Sequence, residues 1–189
     1  MKLFIASDIH GSAYYCEKML EAFHREGADR MLLLGDLLYH GPRNDLPRDY
    51  APKRVIEMLN AHRDRILCVR GNCEAEVDQM VLTFPVLSDS CILWWEGHMI
   101  YATHGHVFNE TKLPPLCDGD ILLHGHTHVP ACRTHTEDGA PRYTYLNPGS
   151  VSIPKEASVH GYMTLTDGLF EWKDLENPGA VVSSWRIDS

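Results

Sequence analysis

A chain of 189 residues, 44% hydrophobic and 23% charged, is long enough to bury one ordinary core and has the composition of a globular domain. Its formal charge of −9 argues against a protein that coats nucleic acid, which needs a basic track along the phosphates. It leaves room for a small phosphate ester, because bound cations reverse the local potential. No apolar run approaches the roughly 18 residues of a membrane span. The start, Met1 to Ser7, is too short for an export signal and runs straight into Asp8 and His10. Cys16, Cys68, Cys73, Cys91, Cys117 and Cys132 form no C-x-x-C pair and read as reduced thiols, so a cytoplasmic chain forming a single domain over 1–189 is expected.

Leu3-Phe4-Ile5-Ala6 opens as a strand, Ser12 is placed to cap a helix, and Met19, Leu20 and Phe23 give that helix its apolar stripe. Gly27 ends it, and Met31 to Leu34 forms the next strand. A second helix starts near Pro52, a favoured first-turn position, and carries Val55, Ile56 and Leu59. Ile66 to Val69 is a third strand. Beyond about residue 85 the pattern turns to strands: Cys91–Trp95, Met99–Thr103, Ile121–His124, then segments near 142–146, 161–166, 169–173 and 180–186. Asp167-Gly168 reads as a hairpin turn. An α/β first half followed by a β-rich second half predicts two packed sheets with helices outside.

Five of the strand-like runs end in metal-ligand residue types: Asp8-Ile9-His10-Gly11, Gly35-Asp36, Gly71-Asn72-Cys73-Glu74, Thr103-His104-Gly105-His106 and Gly125-His126-Thr127-His128. Ligands of open α/β sheets bind outside the carboxyl ends of strands, so five such ends converge on one crevice. The neighbouring glycines permit tight turns and close backbone approach. Carboxylate, imidazole and amide oxygen without a required thiolate suit Mn²⁺, Fe²⁺, Zn²⁺, Ni²⁺ or Mg²⁺. Seven ligands exceed what one such ion takes. Two ions about 3.5–4 Å apart, sharing a carboxylate, use them all.

D-x-H, G-D, G-N, H-G-H and G-H-T-H in this order resemble the calcineurin-like metallophosphoesterases, and within them the small bacterial YfcE-type phosphodiesterases. The resemblance spans nearly the whole chain, including Gly35 to Asn44 and Asn147-Pro148-Gly149-Ser150-Val151-Ser152. It implies a four-layer α/β-β/α sandwich of two mixed sheets flanked by helices. It also implies one metal on Asp8, His10 and His128, a second on Asn72, His104 and His126, and Asp36 as the bridge. Many relatives read G-N-H-[DE]; here Cys73 stands in the histidine position, and a neutral thiol cannot replace an imidazolium as general acid. The leaving group is then already a weak base, or another group or a metal-bound water assists.

The expected reaction is in-line attack of a metal-bridging hydroxide on a phosphodiester, with Asp36, Asn72, Cys73 and His104 at the reacting centre and Mn²⁺ the first metal to test. Arg43 and Asn44, beyond the Asp36 strand end, are candidates for substrate contact, although Arg43 has Asp45 nearby as an ordinary ion-pair partner. His106 stands beside the site either orienting a ligand or simply packing its loop, and His40 either faces the substrate or packs its loop. His124 belongs in the core, and His24, His62, His98, His135 and His160 on the surface. Trp94 and Trp95 alternate across a strand, so one is buried and one exposed, a feature compatible with a homo-oligomer. A phosphomonoesterase uses the same site. A scaffold subunit of the retromer sorting complex resembles the same fold with a degraded metal site, whereas all seven ligand types are present here.

Overall fold

Residues 1–95 and 97–187 are described by the computed structural model. The alternation of strand and helix at the start builds a βαβαβ unit: β1 (Lys2–Ala6), α1 (Ala13–Arg25), β2 (Arg30–Leu33), α2 (Pro52–Asn60) and β3 (Ile66–Cys68). The three strands run parallel, as helical crossovers require. Helix α1 starts where the Ser12 hydroxyl accepts the Tyr15 N–H and stops before Gly27, whose φ of +59° is left-handed. Along β1, Phe4 and Ala6 face the helices while Leu3 and Ile5 face the second sheet, the period-two pattern of a strand buried on both sides.

A short helix, α3 (Glu76–Val81), precedes the second sheet. That sheet contains β4 (Cys91–Trp95), β5 (His98–Ala102), β6 (Asp120–Leu123), β7 (Ala131–Glu137) and β8 (Ala140–Asn147), in the order β4-β5-β6-β8-β7. Strands β5, β6 and β8 are parallel, and antiparallel β4 and β7 form the edges. The chain then returns to the first sheet as β9 (Gly161–Thr166), β10 (Leu169–Asp174) and β11 (Val181–Arg186), completing the order β11-β10-β9-β1-β2-β3. The Asp167-Gly168 turn joins β9 to β10 with φ of 47° and 72°, the left-handed pair that a two-residue hairpin needs.

Ile5, Leu32, Ile100, Ile121, Leu146 and Met163, each at most 1% exposed, close the two sheets on one another. Two mixed sheets with flanking helices are therefore as the sequence predicts. The outermost layers differ from each other. Helices α1 and α2 cover the first sheet, but the outer face of the second, at Leu122, Tyr143 and Tyr145, is covered by the irregular segment before β6 through Leu116, with Phe108 edge-on to Tyr101. Pro114-Pro115 keeps that segment from becoming helical, and no helix covers that face among the described residues. Trp95 packs on the core between the sheets and Trp94 is 71% exposed. His98 and His160 are not free surface residues: His98 Nδ1 contacts the Gly119 carbonyl, and the His160 ring stacks on Tyr15. No helix among the described residues is long and apolar enough to cross a membrane.

Candidate metal centre

The carboxyl ends of β1, β2 and β3 in one sheet and of β5 and β6 in the other meet at the same rim of the sandwich. Backbone bonds stitch them together: Asp8 N–H donates to Gly35 O, His10 N–H to Asp36 O, and His126 N–H to Asp8 Oδ2. Approach is close enough to need glycine. A Cβ on Gly71 would sit 2.1 Å from Asp36 Oδ1, and one on Gly125 would sit 2.7 Å from Asp8 Oδ2. Asp8, His10, Asp36, His126 and His128 all have φ between 49° and 65°, a left-handed conformation costing about 1–2 kcal/mol each for residues with a Cβ. Such strain collects where surrounding structure holds a side chain in a required place.

All seven predicted ligands are brought together. His10, His104 and His128 each donate Nδ1–H to a backbone carbonyl, of Tyr39 at 2.7 Å, Leu34 at 2.6 Å and Ile153 at 2.7 Å. This fixes each ring and leaves Nε2 as a bare acceptor. Those acceptors face other acceptors. His10 Nε2 lies 3.2 Å from His128 Nε2, and both lie within 3.5 Å of Asp8 Oδ1. His104 Nε2 lies 3.1 Å from Asn72 Oδ1 and 3.1 Å from His126 Nδ1. Asp36 Oδ2 reaches both groups, 3.7 Å from His10 Nε2 and 3.5 Å from His104 Nε2. Asp8 is fully buried, and its Oδ1 has no hydrogen-bond partner.

Lone pairs aimed at lone pairs repel unless a cation or a proton lies between them. A buried polar atom left unsatisfied costs about 1–3 kcal/mol, more if charged, and a fold is stable by only about 5–15 kcal/mol in total. A set of such atoms is therefore not a packing accident. Ligand atoms around one ion at about 2.1 Å sit roughly 3.0–3.4 Å apart, close to the separations in both groups. The donor set fits divalent cations. Protons otherwise fill this role. Burial alone would lower His104, but the Asp36 carboxylate outweighs it and raises the ring to about 9. His10 is raised against burial by Asp8. Burial would raise Asp8 and Asp36, yet the histidines hold both below the usual carboxylate range. His126, half-buried beside His104, is lowered to about 4.

Further residues support the centre, and the sequence assigned them no role. Ser150 Oγ and Ser152 Oγ both donate to the Asp8 carbonyl, at 2.9 and 3.1 Å, holding the strained turn. Glu74, 4% exposed, accepts N–H bonds from Asp36, Leu37 and Gly71 and so ties the ends of β2 and β3; burial and Asp36 push it up to about 7. Both groups open, through His10 and His128 and through Asn72 and His126, into a cleft of about 450 Å³ that also exposes Arg43, Asn44, Cys73 and Lys155. Cys73 N–H donates to Asp36 Oδ1, and its thiol, raised by burial and by Asp36, stays neutral. Asn44 commits its amide to the His40 carbonyl at 2.8 Å. Lys155 escaped the sequence reading because a single lysine in a polar loop carries no local signal. His124 is buried in the core as expected, whereas His106 is exposed beside His104 and His126.

Fold and site together define a phosphoesterase of the calcineurin-like type, and residues 1–167 match the calcineurin-like phosphoesterase superfamily domain. The chain belongs to that family. It is 46% identical over 162 residues to phosphodiesterase YfcE of Escherichia coli K12, covering 86% of this chain and 85% of that protein. A solved structure of E. coli YfcE, described as a phosphoesterase, superimposes with a TM-score of 0.93 and 40% identity over the full length of both chains. Vps29 from Entamoeba histolytica, solved with Zn²⁺, shares the fold alone, with a TM-score of 0.55 and 17% identity over both full chains.

Proposed function

We propose that the chain, acting as one domain in the cytoplasm, is a dinuclear metal-dependent phosphodiesterase. Asp8, His10 and His128 hold one ion, Asn72, His104 and His126 hold the other, and Asp36 bridges them. The observation that carries this reading is the convergence of acceptors without donors around Asp36 Oδ2. The name and 46% identity of the E. coli relative support a diester as the substrate.

Two divalent ions, Mn²⁺ first among Zn²⁺, Fe²⁺, Ni²⁺ and Mg²⁺, supply an acidified water and neutralise the phosphoryl oxygens when bound. The protein does the rest. Three backbone carbonyls hold His10, His104 and His128 with Nε2 inward, so no ring reorientation accompanies binding. The two buried carboxylates offset the cation charge. His10, Asn72, His126 and His128 line the cleft through which the phosphoryl group enters. Cys73 walls the cleft and supplies no proton.

Metal content by elemental analysis, with hydrolysis of bis-p-nitrophenyl phosphate and of p-nitrophenyl phosphate in parallel, tests the reading. Two equivalents of metal and faster diester hydrolysis are expected. Faster monoester hydrolysis favours a phosphomonoesterase, and protein that takes up no metal favours a scaffold.

A further inference from the structure

Arg43 and Lys155 come from separate loops, after β2 and after β8, to the same cleft. Among the described residues neither forms an ion pair within 4.0 Å; Asp45 does not hold Arg43, and the nearby Asp49 pairs with Arg54 instead. Asp36 is the one carboxylate lining the cleft, so a chain of net charge −9 exposes two free cations beside its metal centre. Lys155 is also fixed in place. Its N–H donates to the His128 carbonyl at 3.1 Å, and its own carbonyl accepts from Ser158 N–H at 3.0 Å and Ser158 Oγ–H at 2.6 Å. The turn between them puts Glu156 and Ala157 at φ of 54° and 56°, left-handed without a glycine. Strain is thus accepted to keep Lys155 next to a metal-ligand residue.

A simple diester carries one negative charge, which the two ions already answer; two further cations match a second phosphate. The rest of the lining is amide, hydroxyl and thiol, with no carboxyl or imidazole group free of the ligand set to protonate a departing alkoxide. A leaving group that is itself a phosphate needs no such proton. We infer that Arg43 and Lys155 form a second-phosphate subsite and that the preferred substrates are disubstituted pyrophosphates, R–O–P–O–P–O–R′. This rests on the phosphodiesterase reading and names the substrate class for that site. Water adds its oxygen to the phosphorus at the metal centre, and the anhydride P–O bond breaks. The electron pair leaves on the R′-phosphate, whose charge Arg43 and Lys155 receive, and the two protons of water end on the two monoester products or in solvent.

The test uses the Mn²⁺-loaded full chain with UDP-glucose, diadenosine diphosphate and bis-p-nitrophenyl phosphate. Arg43→Ala and Lys155→Ala are each expected to lower the ratio of kcat/KM on the pyrophosphates to that on bis-p-nitrophenyl phosphate by about tenfold, mainly through KM. Lys155→Arg is expected to recover most of that ratio. Equal losses on all three substrates, or no loss on any, overturn the inference. So does a Lys155→Arg variant as impaired as Lys155→Ala, which would make the lysine a proton donor. Wild-type protein that cleaves bis-p-nitrophenyl phosphate but neither pyrophosphate also overturns it and leaves the phosphodiesterase reading intact. Protein that cleaves none of the three overturns both.

Discussion

Two buried polar clusters lie at different places in this molecule and are built on opposite principles. In one, the Glu26 carboxylate receives Lys2 Nζ, Lys173 Nζ at 2.9 and 3.0 Å, and the Tyr162 hydroxyl at 2.9 Å. Donors and acceptors match, and the cluster is complete as a fastening between α1, β1, β9 and β10. In the other, two carboxylates, four imidazoles and an amide oxygen point inward with almost nothing to donate. Burial of charge is common to both and marks neither as functional. Imbalance marks the site: only the second cluster lacks a component that must come from outside.

The sharpest way to break this contrast is Asp36→Asn, which replaces the shared acceptor by an amide. Activity on bis-p-nitrophenyl phosphate should fall on the order of 10³-fold, and metal content should fall with it; an active, fully loaded variant refutes the bridge. Chelation comes next. Protein stripped with EDTA should melt roughly 5–10 °C below the Mn²⁺-loaded form, since a ligand at about 100 times its Kd contributes about 2.7 kcal/mol. Equal melting temperatures would mean that the acceptor cluster is not satisfied by metal.

Lys173→Met probes the balanced cluster. It should destabilise the fold by about 2 kcal/mol in urea titrations and leave metal content as it was, whereas metal loss would join the two clusters. Ser150→Ala combined with Ser152→Ala removes two donors from the Asp8 carbonyl and should weaken metal affinity about tenfold, measured by competition with a chelating dye. The smallest effect concerns acid. Burial would raise Glu26, but Lys2, Lys173 and Tyr162 outweigh it and hold it below its usual value of 4.5. Its contribution to stability is therefore complete above about pH 4.5 and is lost as pH falls through the depressed value. Glu26→Gln should flatten that part of the stability profile, and an unchanged acid limb would show that the cluster is not linked to proton uptake.

Much of the centre was legible because its chemistry is carried by residue type at strand ends. Gly71 and Gly125 advertised close approach, and the Asp167-Gly168 turn followed from its dipeptide. Strand β7 was not anticipated: its Ala-Cys-Arg-Thr-His-Thr-Glu sequence lies on an exposed edge and shows no apolar alternation. Helix α3 is short, buries no residue and has no side-chain cap from Ala75. Pairings over long sequence distance were also invisible. Lys155 and the Ile153 carbonyl meet His128 only when β8 is laid next to β6, Tyr39 meets His10 when β2 is laid next to β1, and the Leu34–His104 and serine–Asp8 contacts form only when the two sheets pack together.

The left-handed turns at Asp8, His10, Asp36, His126 and His128 tie the history of the site to that of the fold. A mutation that removes one of these side chains keeps the awkward backbone and discards the cation that made it worthwhile. Drift away from metal binding should therefore run through glycine or asparagine at these positions, residues at ease with positive φ, before the loops themselves relax.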